Sequence, residues 1–109
     1  MKKKNKYSAV RTLYNGEWYD SKKEARYAAQ LELLKHAMYA KDRVVKVERQ
    51  PVYELVQKPN RMTYRADFRV TYADGRVEVV DVKGVKTPVF KLKLKLMKAL
   101  YPDIVIRLS

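Results

Sequence analysis

The stretch TYRADFRVTYADGRVEVVDVK, Thr63 to Lys83, decides how this chain is read. From Thr63 to Tyr72 the residues alternate in character. Ala66, Phe68, Val70 and Tyr72 fall on one face of an extended strand, and Arg65, Asp67, Arg69 and Thr71 on the other. Ala73-Asp74-Gly75 breaks the pattern, and Arg76 to Lys83 resumes it as a return strand. A three-residue loop ending in Gly suits a hairpin whose Gly takes the left-handed backbone. Tyr72 then pairs with Arg76, and counting back from the loop places Asp67 opposite Asp81. Lys83, two residues beyond Asp81, points to the same side, and Val77 and Val79 lie farther back on that face.

Two carboxylates facing each other across a sheet repel, which is a local cost. A divalent cation turns that cost into an attraction, because hard ions such as Mg²⁺ take oxygen ligands. Arg65, Arg69 and Lys83 share the face, however, so a solvated charge lattice would also neutralise it. The residues alone leave both readings open.

Upstream, Ser21-Lys22-Lys23-Glu24 has the form of a capping box opening a helix that runs to about Ala40. Tyr27, Leu31, Leu34 and Met38 recur at helical spacing as its buried stripe, with Lys23, Arg26 and Gln30 on the wet side. Glu24 has two roles open to it. It completes the capping box, and it also stands at the edge of the apolar stripe, three, four and seven residues before Tyr27, Ala28 and Leu31. Before the helix, Asn15-Gly16 divides two short β-prone stretches between Val10 and Tyr19, the signature of a type I′ hairpin. After it, Val44 to Val47 and Val52 to Val56 read as strands, and Pro51 marks an edge, a bulge or a break between them.

Downstream, Lys-Leu-Lys-Leu-Lys-Leu at 91–96 has the period of a strand, yet a helix is the better reading. Thr87-Pro88 supplies an N-cap followed by Pro at the first helical position, and Lys, Leu, Met and Ala are strong helix formers. On that helix Lys91, Lys95 and Lys98 share one face and Val89, Leu92, Leu96 and Leu100 another. Tyr101-Pro102 ends it, and Ile104 to Leu108 forms a last strand. The chain is thus expected to be α/β: a single mixed-sheet domain over residues 1–109, ordered helix, strands, helix, strand, with an N-terminal hairpin.

Charge narrows the partner. Twenty-five Lys and Arg oppose twelve acidic residues, a formal +13, and a small domain so basic implies a polyanion, nucleic acid above all. Met1 to Lys6 reads as a flexible basic arm. Lys2, Lys3, Lys4 and Lys6 join Lys91, Lys95 and Lys98 as expected DNA phosphate contacts. Tyr14, Trp18 and Tyr19 would stack on bases or, more simply, pack the first hairpin.

The same composition excludes other chemistry. Without Cys there is no disulfide, thiol nucleophile or Cys-ligated zinc. His36, the only His, cannot supply a His-ligated zinc site, and no Gly-rich phosphate loop is present. No apolar run approaches the ~18 residues of a membrane span, and no signal-peptide pattern follows the basic start, so a cytoplasmic protein is expected.

The order of these motifs resembles the PD-(D/E)XK nuclease superfamily, in which a helical Glu precedes an Asp on one strand and an acidic-x-Lys triplet on the next. Here those positions are Glu24, Asp67 in Tyr64-Arg65-Ala66-Asp67-Phe68, and Asp81-Val82-Lys83. The chain is similar in particular to small phage-encoded members, through Asn15-Gly16 leading into Tyr19-Asp20-Ser21-Lys22-Lys23-Glu24-Ala25, Arg49-Gln50-Pro51, Ala66-Asp67-Phe68 and Val80-Asp81-Val82-Lys83-Gly84 followed by Thr87. Ala66 replaces the Pro of the superfamily's name, and Asp81 stands where Glu is commoner; neither change removes a ligand.

The resemblance implies a restriction-endonuclease-like fold and a Mg²⁺-dependent endodeoxyribonuclease, with Mn²⁺ substituting. Asp67 and Asp81 would hold the metal, with Glu24 directly or through water and the Val82 backbone carbonyl as a further ligand. Lys83 would orient the attacking water or stabilise charge on the phosphate, and Gln50 would lie at the site's rim. It further implies DNA as substrate, branched or junction DNA by analogy, in the host cytoplasm, and leaves a homodimer open. The rival reading is a non-catalytic basic nucleic-acid-binding module.

Overall fold

A computed structural model describes residues 10–82 and 86–109. In chain order the elements are β1 (Thr12–Tyr14), β2 (Glu17–Tyr19), α1 (Lys22–Leu34), β3 (Val44–Arg49), β4 (Val52–Val56), β5 (Met62–Arg65), β6 (Phe68–Tyr72), β7 (Val77–Asp81), α2 (Pro88–Leu100) and β8 (Val105–Leu108). The main sheet runs β3-β6-β7-β8, while β1-β2 and β4-β5 form two-stranded ribbons. All pairs are antiparallel except β7 with β8, which α2 joins as a parallel crossover. No helix among the described residues is long and apolar enough to cross a membrane.

The turn chemistry legible in the sequence sets the registers. Asn15 (φ 51°) and Gly16 (φ 80°) both take positive φ between the paired residues Tyr14 and Glu17, as a type I′ turn demands. In the β6–β7 hairpin Gly75 has φ 92°, and the Tyr72 amide donates to the Arg76 carbonyl at 2.9 Å. Thr71 then pairs with Val77 and Phe68 with Val80, so the same register continued by one residue sets Asp67 against Asp81.

The expected single strand from Thr63 to Tyr72 is in fact two. β5 pairs with β4, whereas β6 pairs with β3 and β7. The break at Ala66-Asp67 lies opposite a break at Gln50-Pro51, where Gln50 has φ 51°. Two bonds hold the strands together across it: Gln50 N to Asp67 O at 2.9 Å and Ala66 N to Pro51 O at 3.2 Å. Pro51 has no N–H to contribute to a regular ladder, so the two long strands kink at one level. The kink also shifts the alternation. Ala66 packs with Tyr53 and Tyr64, not on the Phe68 face as its spacing suggested.

Both faces of the main sheet are covered. Tyr19, Ala25, Leu31, Phe68, Val70 and Val80 form one core beneath α1 and the first hairpin. Tyr53, Leu55, Tyr64, Val79 and Met97 form another beneath α2. The adjacent Val79 and Val80 are both fully buried, each in a different core, as expected of a strand covered on two sides.

Two further expectations change. α1 ends at Leu34, not near Ala40, because the chain tightens into i→i−3 bonds from Lys35, His36 and Ala37 before turning into β3. Tyr27 and Leu31 pack inward, but Leu34 is 37% exposed and Met38 82%. In α2 the N-cap is as expected: Thr87 accepts from Phe90 N, with Pro88 following. Its inward face, however, is Phe90, Leu94 and Met97 with Leu96, the one expected apolar-face residue that packs inward, while Val89, Leu92 and Leu100 are about half exposed. Apolar residues recur on several sides of this helix, so docking against the β4–β5 ribbon selects the phase.

Candidate metal and nucleic-acid site

The kink and the hairpin register bring two buried carboxylates to one end of the main sheet. Asp67, just before β6, is 5% exposed, and Asp81, the last residue of β7, is 7%. Burying a carboxylate is costly unless it is hydrogen-bonded. The Asp67 backbone N donates to Val80 O at 3.0 Å, and its Oδ2 accepts from Val82 N at 2.7 Å. The Asp81 Oδ2 accepts from the Tyr64 hydroxyl at 3.2 Å, and its carbonyl accepts from Ser109 N. Burial pushes the Tyr64 hydroxyl far above its ordinary pKa and the Asp81 charge pushes it further, so Tyr64 remains a donor at neutral pH.

Glu24 is placed differently. Its backbone N donates to Ser21 Oγ at 3.1 Å, as in a capped helix, while its carboxylate is 1% exposed and meets Arg49 Nη2 at 3.4 Å. Arg49, on β3, stacks its guanidinium over the Tyr19 ring at 3.8 Å. Glu24 therefore belongs to the α1 side of the sheet, beside a cavity of about 420 Å³ that Tyr19 and Arg49 help line. Asp81 instead lines a cleft on the α2 side. Among the described residues, no three His, Asp or Glu side chains stand together as a metal-holding group.

The cleft beside Asp81 has a volume of about 440 Å³ and is walled by Tyr64, Arg65, Thr87, Phe90 and Lys93. Arg65 and Lys93 bring cations within the same concavity as a carboxylate. Neither is among the site residues expected from the sequence, where Arg65 stands only as a neighbouring charge on the Asp67 face. Lys93 lies between the expected Lys91 and Lys95, and only the corrected helix phase turns it toward the cleft. Arg49 was legible as part of Arg49-Gln50-Pro51 but carried no role.

Gln50 adjoins the site through its backbone, by the bond to Asp67 O. Of the expected lattice cations, Arg69 reaches Glu48 at 3.8 Å. Lys91, Lys95 and Lys98 are exposed along α2. Lys83, and the arm residues Lys2, Lys3, Lys4 and Lys6, lie outside the described residues.

A family model described as "Protein of unknown function (DUF1064)" matches residues 4–109. The chain belongs to the DUF1064 family. No curated protein and no solved structure matches it. What this DUF1064 chain offers chemically is a pair of buried carboxylates, the neighbouring Val82 backbone and a cleft with two cations. Hard carboxylate and carbonyl oxygens suit Mg²⁺ or Mn²⁺ over softer metals, and the cations suit a phosphate.

Proposed function

We propose that this DUF1064 protein is a metal-dependent DNA endonuclease of the PD-(D/E)XK type, with a restriction-endonuclease-like arrangement of its sheet and helices. The observation that carries the reading is the burial of Asp67 and Asp81 at paired positions beside a cleft that also holds Arg65 and Lys93. Two carboxylates are kept near each other inside a very basic protein, where a structural role alone would more cheaply be filled by neutral residues.

The donor set fits a hard divalent ion in part. Asp67, Asp81 and the Val82 carbonyl would hold it together with water, since Mg²⁺ commonly keeps several waters. Glu24, on the α1 side and paired with Arg49, would act through water. When bound, the ion supplies Lewis-acid polarisation of the scissile phosphate and acidifies a water for attack. The chain's own residues do the rest. Val82 N orients the Asp67 carboxylate, Tyr64 orients that of Asp81, and Arg65 and Lys93 draw the phosphodiester into the cleft. Lys83, carried over from the resemblance, would steady charge building on the phosphate.

The Glu24–Arg49 ion pair favours a second reading, a basic nucleic-acid-binding module in which the acidic residues are structural. Supercoiled plasmid incubated with Mn²⁺ or Mg²⁺ separates the two. The endonuclease reading expects nicking or linearisation that Asp67→Asn and Asp81→Asn each reduce at least about a hundredfold, with DNA binding retained. DNA binding without metal-dependent cutting, or cutting unchanged in both variants, would overturn it.

A further inference from the structure

The α2-side cleft has walls of unlike chemistry. Arg65 and Lys93 provide positive charge, Phe90 and Val89 an apolar surface, and Asp81 a carboxylate. Its volume of about 440 Å³ falls within the ~300–1,000 Å³ of small-ligand pockets and suits one nucleotide rather than a length of duplex. Tyr64 is the floor, 2% exposed, and Phe90 lies against it with ring centroids 6.1 Å apart at 51°. The aromatic wall at the cleft is therefore Phe90, a half-buried residue held in place from behind.

An aromatic wall beside cations has a specific partner in DNA. Stacked bases in a duplex keep their faces covered and present only edges to the grooves. An unpaired base can turn a face to an aromatic ring while its phosphate meets the cations. Extruding a base is least costly where the strand is already single. We propose that the cleft between β5 and α2 binds one unpaired nucleotide of DNA, its phosphate on Arg65 and Lys93 and its base against Phe90. This rests on the endonuclease reading for its consequence: the nucleotide held there lies beside Asp81, so cutting is directed to DNA that carries a single-stranded segment.

The test is fluorescence anisotropy with the full chain in EDTA, where no cleavage occurs. The probes are a blunt duplex, the same duplex with a short oligothymidine tail, and the same duplex with a tail of equal length lacking bases. The thymidine tail should tighten binding about tenfold over the blunt duplex, the size of one base stacked on an aromatic ring plus its phosphate contact. The abasic tail should recover only part of that gain. Arg65→Ala with Lys93→Ala should weaken binding of the thymidine-tailed duplex more than that of the blunt duplex, and so remove most of the tail's gain. Phe90→Leu, which keeps an apolar core residue, should make the two tails equivalent. Equal affinity for thymidine and abasic tails in the unaltered protein would overturn the proposal, as would a tail gain that survives the double substitution. Arg65 is exposed, so that arm decides even if Phe90→Leu disturbs the core. Because metal is absent, the outcomes separate cleanly. Cutting without a tail preference sinks the cleft alone, and a tail preference without cutting under Mn²⁺ sinks the endonuclease reading alone.

Discussion

At the scale of single residues, Asp81 and Tyr64 define each other. A carboxylate only 7% exposed needs a hydrogen-bond donor, and the Tyr64 hydroxyl supplies one. The same burial and the same charge raise the pKa of Tyr64 above the ordinary 10.0. An acid whose folded pKa lies above its unfolded one keeps its proton longer in the native state. Its contribution is fully present below about pH 10 and is lost as pH rises through the folded value, because unfolding then releases a proton. Urea unfolding between pH 7 and 11 should therefore show stability falling above about pH 10. Tyr64→Phe should make that fall shallower, while lowering stability at pH 7 by about 1–3 kcal/mol through loss of a hydrogen bond to a charged group. An unchanged alkaline slope in Tyr64→Phe would contradict the coupling. Burial also raises Tyr19, Tyr27, Tyr53 and Tyr72, so part of the alkaline fall persists in that variant.

At the scale of elements, the β6–β7 hairpin, Phe68–Asp81, was legible because its loop states its own length: Gly75 permits a left-handed turn there, and the register of Asp67 with Asp81 follows by counting. The N-caps Ser21 and Thr87 were legible for the same reason, since each is a local hydrogen bond. The kink at Ala66-Asp67 was not, because nothing in the alternation of Thr63–Tyr72 signals it; only Pro51, on the partner strand, does. The phase of α2 was misread because Leu recurs on more than one side of the helix, and tertiary docking made the choice. That correction has a measurable consequence. Met97, fully buried, should cost about 2–5 kcal/mol when changed to Ala, whereas Leu92, 47% exposed, should cost less than about 1 kcal/mol. Thermal or urea unfolding of the two variants checks it, and a larger loss for Leu92→Ala would restore the sequence-based phase.

At the scale of the whole molecule, the +13 charge and the paired carboxylates pull in opposite directions. Excess positive charge attracts polyanions and repels small cations, with the repulsion screened beyond about 8 Å at physiological salt. The general basicity was legible from composition, yet its local use was not. Arg65 and Lys93 share a cleft with Asp81 only because the kink and α2 bring them together, and Arg49 meets Glu24 only because β3 passes beneath α1. The same repulsion makes metal binding a discriminating observation. A protein this basic should not hold Mg²⁺ or Mn²⁺ at its surface, so saturable binding requires a carboxylate site. Calorimetric titration of the metal-free protein with Mn²⁺ should give saturable binding at low salt that Asp67→Asn and Asp81→Asn each abolish while the fold, followed by circular dichroism, persists. No saturable heat in the unaltered protein, or heats identical in both variants, would contradict the claim that these two carboxylates form a metal centre.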